Sequence, residues 1–249
     1  MVCKGRAPEI SHLAAVLAAA SRVLLSRKPI YIQEMEMKNQ SWGFVLLAAL
    51  LIPAVSSAQK LERTRNWEVG DKLTYNLVMK GRPMRMVEQV LEVTDAEIRM
   101  TLLAGDRTYD AALSARDMSR VRGLCQGSGQ ACTWLPGDVW AAFPLETGKS
   151  WSFTMTVTNE GYVTEVASER KVEAVETVDT PAGQFKAYRV SGAESLTSMS
   201  KEGKGPYRGM ATMTYWLASI KGKLVLVNWE YSNSFGENFT RELQAAELK

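Results

Sequence analysis

The chain has 249 residues, with 30 Lys and Arg, 27 Asp and Glu and one His, which gives a formal charge of +3. The positive excess belongs to the first 58 residues, because 24 residues of each sign remain from position 59 onward. A nucleic-acid surface needs a clustered positive excess, so that class of partner is excluded for the remainder. The single histidine, His12, precedes position 59. Ser-His-Asp or Cys-His catalysis and His-ligated metal sites are therefore excluded beyond that position.

Residues 1–36 precede Met37, a methionine that is better placed than Met1 to begin translation. Gln33-Glu34 can be encoded by CAG-GAG, which contains a bacterial ribosome-binding sequence close to Met37. We therefore expect residues 1–36 to be untranslated or disordered. The alternative is a genuine amphipathic segment, since Leu13 to Leu25 is rich in Ala and Leu.

Residues 37–58 have the three parts of a secretory signal peptide. Lys38 supplies a basic end, and the apolar run from Trp42 to Val55 is shorter than the ~20 residues that a membrane-spanning helix needs. Small residues precede a cleavage site between Ala58 and Gln59. We expect a mature domain of residues 59–249 that is periplasmic or secreted in a bacterium, with no membrane span after cleavage. The alternative is an uncleaved anchor.

Alternating apolar residues predict half-buried strands over residues 72–79 and 150–157. The same pattern, with β-branched and aromatic residues, predicts further strands, at 86–93, 98–103, 163–167, 171–178, 185–190, 211–217 and 224–231. Turn residues lie between them, at 159–161, 180–183 and 221–223, with a longer loop at 201–209. Residues 111–121 fit either a short helix or a strand with a bend.

The stretch that begins at Val69 aligns with the stretch that begins at Thr147. Gly70 matches Gly148, and the apolar residues of the strand that follows match at the same offset. We expect an all-β, mainly antiparallel fold with little helix, built from two related β-meander halves of about 67–143 and 144–249. The halves would form a strongly curved sheet, a half-barrel or a sandwich, since each apolar face must be covered. We expect no metal and no cofactor.

Cys125 and Cys132 flank a loop of Gly, Ser and Gln. Disulfides persist in the oxidising compartment that the signal segment indicates, so we expect these two residues to form a structural disulfide. Two free thiols or a redox pair are the alternatives. Redox cysteines are more often two residues apart with a lowered pKa.

The motifs Phe143-Pro-Leu-Glu-Thr-Gly-Lys-Ser-Trp151, Thr180-Pro-Ala-Gly-Gln-Phe-Lys-Ala-Tyr188 and Thr214-Tyr-Trp-Leu-Ala218 resemble those of a group of uncharacterised exported bacterial β-proteins. The resemblance covers most of residues 67–230. Such proteins loosely resemble the curved-sheet lipoprotein carriers of the periplasm. The resemblance implies an apolar ligand and no catalytic residue.

Three functions fit these observations. The first is a non-enzymatic binding protein for a lipid or apolar small molecule, or for an envelope protein, with a candidate apolar groove lined by Trp67, Trp151, Tyr215, Trp216 and Trp229. The second is a structural or assembly protein of the cell envelope that uses an exposed sheet edge, with 224–231 as the candidate strand. The third is a carboxylate-dependent hydrolase, although no catalytic pair stands out. We expect the first function and no enzyme activity.

Overall fold

The computed structural model describes residues 60–62, 67–125 and 129–249. The predicted signal segment at 37–58, with its cleavage site between Ala58 and Gln59, and the expectation for residues 1–36 all lie outside the described residues. None of the described residues forms a helix long and apolar enough to cross a membrane.

Twelve strands make up the regular structure of the described residues, in which no helix occurs. The strands are β1 (Lys72–Met79), β2 (Arg82–Val93), β3 (Glu97–Ala104), β4 (Arg107–Ser114), β5 (Arg120–Leu124), β6 (Ala131–Asp138), β7 (Ser150–Thr158), β8 (Tyr162–Thr180), β9 (Gly183–Ser200), β10 (Tyr207–Ile220), β11 (Lys223–Asn233) and β12 (Asn238–Glu247). Every strand predicted from the alternation lies within one of these twelve. The prediction of an all-β, antiparallel fold is confirmed.

The sheet closes into a barrel, which corrects the expected half-barrel or sandwich. Each strand pairs with its neighbour in the chain, and β1 pairs with β12 from Lys72 opposite Glu247 to Met79 opposite Phe239. Closure satisfies the backbone groups that an open sheet would leave at both edges. Strand β11, which contains the candidate edge at 224–231, pairs with β10 from Lys223 to Asn233 and with β12 from Asn228 to Ser232.

The predicted turns at 159–161, 180–183 and 221–223 join β7 to β8, β8 to β9 and β10 to β11. Lys221 and Gly222 have φ angles of 51° and 80°. Two successive positive φ angles match the right-handed twist of the flanking strands. The loop expected at 201–209 is shorter, since β10 begins at Tyr207. The segment at 111–121 is not helical, because it contains the end of β4, a turn and the start of β5.

The starts of β1 and β7 share the same local hydrogen bonding. The Gly70 N–H donates to the Val90 carbonyl at 2.9 Å, and the Gly148 N–H donates to the Val172 carbonyl at 2.8 Å. Gly70 and Gly148 have φ angles of 92° and 88°, which suit glycine. The register of the opposite strand shifts immediately after each valine. The predicted relationship between the two halves stays a prediction, and these matching turns support it.

The barrel interior is packed unevenly. The larger apolar cluster contains Trp67, Ile98, Leu145, Val225 and Leu243, all buried. It fills the barrel end where β1 begins and extends along β1 to β4. The smaller cluster, which includes Cys132, Trp134, Met155, Val166 and Leu196, lies on the long strands of the second half. The hollow part of the barrel is found beside this smaller cluster.

A buried ion pair holds the packed end of the barrel together. The Lys223 Nζ lies 2.5 Å from the Asp71 Oδ2, and both side chains are almost fully buried. Asp71 also accepts hydrogen bonds from the backbone N–H groups of Glu68 and Lys249, at 2.7 and 2.9 Å. Burial by itself would raise the pKa of Asp71, but the hydrogen bonds from Lys223 and the two N–H groups outweigh it and lower the pKa below 3.8. Asp71 thereby ties the start of β1 to β11 and to Lys249.

Candidate functional site

A cavity of about 410 Å³ occupies the other end of the barrel, which we call the open end. Its lining runs from buried strand residues to the exposed side chains of Tyr162 at the start of β8, Tyr207 at the start of β10 and Phe235 in the β11–β12 turn. Ligand pockets typically measure about 300–1,000 Å³, so the volume suits a small molecule.

Side-chain alternation in the two longest strands builds one wall of the cavity. In β8, Thr164 and Val166 face inward, and in β9, Leu196 and Ser198 face inward beside them. Residues two apart share a face of a strand, so the wall follows from the period of the sequence. Trp134, Met155, Val157 and Met213 complete a mainly apolar surface.

The floor of the cavity is an ion network of four side chains, Arg120, Asp138, Arg170 and Glu194, which we call the floor network. The Arg170 Nη2 lies 2.8 Å from the Glu194 Oε1 and 3.8 Å from the Asp138 Oδ1. The Arg120 Nη2 donates to the Asp138 Oδ2 at 2.8 Å. Each of these side chains is at most 12% exposed. The formal charges sum to zero, which reduces the cost of burying them.

Two features of the sequence position the guanidinium groups. Gly192 lies directly opposite Arg170 in the β8–β9 register, and a Cβ at this position would be 2.7 Å from the Arg170 Cδ. The missing side chain therefore leaves the space that Arg170 occupies. Arg120 lies over Trp134, with 3.9 Å between its guanidinium carbon and the ring centroid. Contacts of this kind favour a desolvated cation by about 2 kcal/mol.

The environment changes the acidity of the floor network. Burial raises the pKa of the Glu194 carboxyl, and the charge of Arg170 opposes that rise only in part. Burial by itself would lower the pKa of Arg170, but the fields of Tyr215, Glu194 and Asp138 raise it above its usual value. Arg170 therefore stays charged, while Glu194 takes up a proton at higher pH than a free glutamate does.

Three aromatic side chains surround the mouth of the cavity. Tyr162, Tyr207 and Phe235 line it and are 44%, 44% and 47% exposed. The rings of Tyr162 and Tyr207 meet edge to face with 6.5 Å between their centroids. The mouth thus continues the apolar wall out to the surface.

The predicted disulfide is confirmed, and it stands beside the mouth. Cys125 and Cys132 are bonded, with 5.1 Å between their Cα atoms, and Cys125 lines the cavity. The loop between them is held to β4 by the Tyr109 hydroxyl, which donates to the Gly129 carbonyl at 2.9 Å. Residues 126–128 lie outside the described part of the chain. The bond supports a structural role for the two cysteines.

The cavity is lined by one of the five residues of the candidate groove. Trp229 lines it and also belongs to the larger apolar cluster, in which Trp67 and Tyr215 pack without reaching the cavity. Trp151 and Trp216 are half-buried beside that cluster, and their indole N–H groups donate to the Val139 carbonyl and to the Glu176 carboxylate, at 3.2 and 2.7 Å. The five side chains therefore do not share one surface.

Sequence reasoning missed the floor network and the aromatic mouth. One signal was available, because the alternation that places Val166 inward continues through Ser168 and Arg170 to Val172, all of them buried. Extending that period would have placed a charged side chain inside the barrel. A buried charge requires a partner, and this requirement predicts an acidic residue nearby.

No protein-family model matches the chain, and no curated protein matches it. Among solved structures, it is similar to a candidate exported protein with a YmcC-like fold from Bacteroides fragilis, at 15% identity, with a TM-score of 0.47, over 76% of this chain and 99% of that one. A candidate lipoprotein from Parabacteroides distasonis is similar at 14% identity, with a TM-score of 0.46, over 76% of this chain and 100% of that one. The hypothetical lipoprotein YmcC of Escherichia coli is similar at 12% identity, with a TM-score of 0.42, over 71% of this chain and 84% of that one.

Proposed function

We propose that the chain is an exported, non-enzymatic binding protein whose barrel holds an apolar or lipid-like ligand in the open end. The observation that carries this proposal is the cavity of about 410 Å³ with its mainly apolar wall. Covering such a wall with hydrocarbon is favourable by about 25 cal/mol per Å² of apolar surface removed from water. The aromatic side chains at the mouth extend the same chemistry to the surface.

Export is supported by two independent features. Residues 37–58 have the composition of a signal peptide. The bond between Cys125 and Cys132 is of the kind that persists in an oxidising compartment. Together they support a periplasmic or secreted location in a bacterium.

The alternative of an envelope assembly protein depends on an exposed sheet edge. The described strands form a closed order in which β1 pairs with β12, so none of them is a terminal strand of the sheet. A partner protein would have to use a short stretch that is paired on one side only, such as residues 174–180 of β8, or else a turn or a strand face. This topology favours the ligand-binding function over the assembly function.

One observation favours carboxylate-dependent hydrolysis as a second candidate. Glu194 lines the cavity, and the pKa of its carboxyl is raised. The Asp138 carboxylate lies near the same Arg170 guanidinium that pairs with Glu194. A carboxyl group with a perturbed pKa in a cleft is a recognised sign of an active site. However, Arg170 holds Glu194 at 2.8 Å, and an ion pair stabilises the carboxylate rather than the proton that a general acid must donate. Binding therefore remains the better-supported function.

The test is to express the chain from Met37 in a bacterial periplasm and to compare its native and denatured mass spectra. We expect a chain that begins at Gln59, with a mass two hydrogen atoms below that of the reduced form. We also expect a native mass that exceeds the chain mass by a lipid-sized increment. A reduced chain that keeps the signal segment would contradict the export part of the proposal.

Two variants of β9 make the ligand test specific. Leu196→Trp places a large side chain in the cavity wall, whereas Ser195→Trp places the same side chain on the exposed face of the same strand. We expect the mass increment to disappear in the first variant and to persist in the second. Equal increments in both would place the bound molecule elsewhere on the protein.

A further inference from the structure

The floor network contains a gap between two of its members. The Arg170 Nη2 and the Asp138 Oδ1 are 3.8 Å apart, which is too far for a hydrogen bond. Among the described residues, the Asp138 Oδ1 and the Arg170 Nε have no hydrogen-bond partner, although both atoms are buried. Both side chains line the large cavity and neither lines the smaller void of about 80 Å³ nearby.

This gap has a definite chemical requirement. The Asp138 Oδ1 accepts a hydrogen bond, and the Arg170 guanidinium donates one. A polar contact longer than about 3.5 Å is commonly bridged by a group that does both, as a water molecule does. A hydroxyl at the end of a ligand can take the same place, since it also donates one hydrogen bond and accepts another.

The charge of the floor restricts the ligand further. Arg120 and Arg170 balance Asp138 and Glu194, and the two ion pairs are 2.8 Å long. A carboxylate inserted here would add an unbalanced negative charge beside two carboxylates. An ammonium group would likewise add a positive charge beside two guanidiniums. Burying an uncompensated charge is costly in either case, so an uncharged end is favoured.

We propose that the ligand enters polar end first and that this end is an uncharged group such as a hydroxyl, which donates to Asp138 and accepts from Arg170. The inference rests on the proposed binding function and names the class of ligand, a neutral single-chain amphiphile. Its hydrocarbon part lies against Met155, Val166 and Leu196 and points toward the mouth. A site built to hydrogen-bond a hydroxyl discriminates strongly against analogues that lack it.

The experiment uses the mature protein, freed of bound lipid, and four probes with the same ten-carbon chain. The probes are decanol, its methyl ether, decanoate and decylammonium, and their binding is measured by competition in native mass spectra at neutral pH. We expect decanol to bind more tightly than each of the others by about tenfold or more. The ether isolates the bond to Asp138, because it accepts a hydrogen bond but cannot donate one.

Any other order of affinities contradicts either the proposed orientation of the ligand or the proposed binding function. If all four probes bind equally, the polar end lies at the mouth and this inference fails while the binding function stands. Tighter binding of decanoate or decylammonium would show that the floor carries a net charge, which also overturns the inference. If no probe binds, the proposed function itself fails.

Arg170→Lys provides a second readout. It keeps the charge opposite Glu194 but removes the planar guanidinium that faces Asp138. We expect the preference for decanol over its ether to fall toward unity, and an unchanged preference in a folded variant would count against the bridge. The comparison of probes on the unaltered protein decides the inference if this variant does not fold.

Discussion

Replacing Gly192 by Ala should disrupt the floor of the cavity without changing any charged or hydrogen-bonding group. The added Cβ would lie 2.7 Å from the Arg170 Cδ, 2.9 Å from its Nη1 and 2.9 Å from the Met213 Cγ. Favourable carbon contacts begin at about 3.5 Å, so the guanidinium must move by several tenths of an ångström. It has little freedom to do so, because Arg170 is bonded to Ser168 on its own strand and to Glu194 on β9.

The expected loss of stability follows from overpacking, which costs about 1–3 kcal/mol. For a domain of this size, 1 kcal/mol corresponds to a shift in Tm of about 2–4 °C. We therefore expect the thermal midpoint of Gly192→Ala to fall by roughly 3–10 °C, measured by circular dichroism. Decanol binding should weaken in the same variant, since Arg170 leaves the position from which it faces Asp138.

Gly161→Ala is the matched control. A Cβ at Gly161, in the β7–β8 turn, meets nothing within 4 Å, and the backbone there is not left-handed. This substitution should leave the thermal midpoint unchanged or raise it, because alanine restricts the unfolded chain by about 0.4–1 kcal/mol. If Gly192→Ala behaves like this control in both stability and decanol binding, then the contact with Arg170 does not fix the floor of the cavity.

Asp71→Asn leaves the buried Lys223 with only the partly exposed Glu68 carboxylate, 3.5 Å away, as a counter-charge, and should lower the free energy of unfolding in urea by about 3 kcal/mol at neutral pH. Because the folded pKa of Asp71 is lowered, its contribution is present above about pH 3.8 and is lost as the pH falls through the folded pKa, so the variant should lack this acid-dependent loss. A double substitution of Cys125 and Cys132 by Ser should lower the unfolding free energy by about 2–3 kcal/mol, as closing a short loop predicts. Protonation of Glu194 gives the floor a net positive charge, so the affinity for decyl sulfate relative to decanol should rise as the pH falls toward its raised pKa.

A definite experimental result would contradict each of these predictions. An Asp71→Asn variant with wild-type stability would show that the buried pair does not hold the packed end. An unchanged urea midpoint in the double cysteine variant would show that the disulfide does not restrict the unfolded chain. Glu194→Gln should prefer decyl sulfate to the same extent at every pH, and a pH dependence that survives in it would assign the titration to another group.

The strands that sequence reasoning recognised are those with apolar residues on one face. Strand β12 was not predicted, because Arg241 occupies an inward position between Phe239 and Leu243 and interrupts the apolar pattern. The Arg241 Nη2 bonds to the Glu88 Oε2 at 2.7 Å, and the guanidinium carbon lies 3.7 Å from the Tyr75 ring centroid. The partner is 153 residues away, so no local pattern reveals that this charge is satisfied inside the barrel.

Strand β6 was also not predicted from the sequence, for a different reason. It contains Pro136 and Gly137, two residues that argue against the interior of a strand. Its pairing with β7 extends over only three residues, from Thr133 to Leu135. Such a short ladder tolerates a proline that a fully paired strand would not.

The sequence predicts the apolar character of the cavity wall but not the presence or position of the cavity. Alternation predicts which residues face inward, but the hollow arises because β8 and β9 have 19 and 18 residues while β3 and β4 have eight each. The apolar alternation of β8 is interrupted from Ser168 to Arg170, where the inward residues are polar. Because of this interruption, the sequence predicts two short strands where the structure has one long strand. Closure was equally inaccessible, since it depends on pairing between the first and last strands rather than on any single segment.

The pairing of β1 with β12 also determines the order in which the barrel can be completed. Lys72 and Glu247 are 175 positions apart, so the final ladder closes one of the longest loops in the chain. Until β12 is in place, β1 and β11 each have an edge with unsatisfied backbone groups, and such edges pair readily with other chains. Folds dominated by distant pairings fold slowly. A newly made copy therefore passes through a period in which its main hazard is association with its neighbours, and rapid docking of Asn238–Glu247 ends that period.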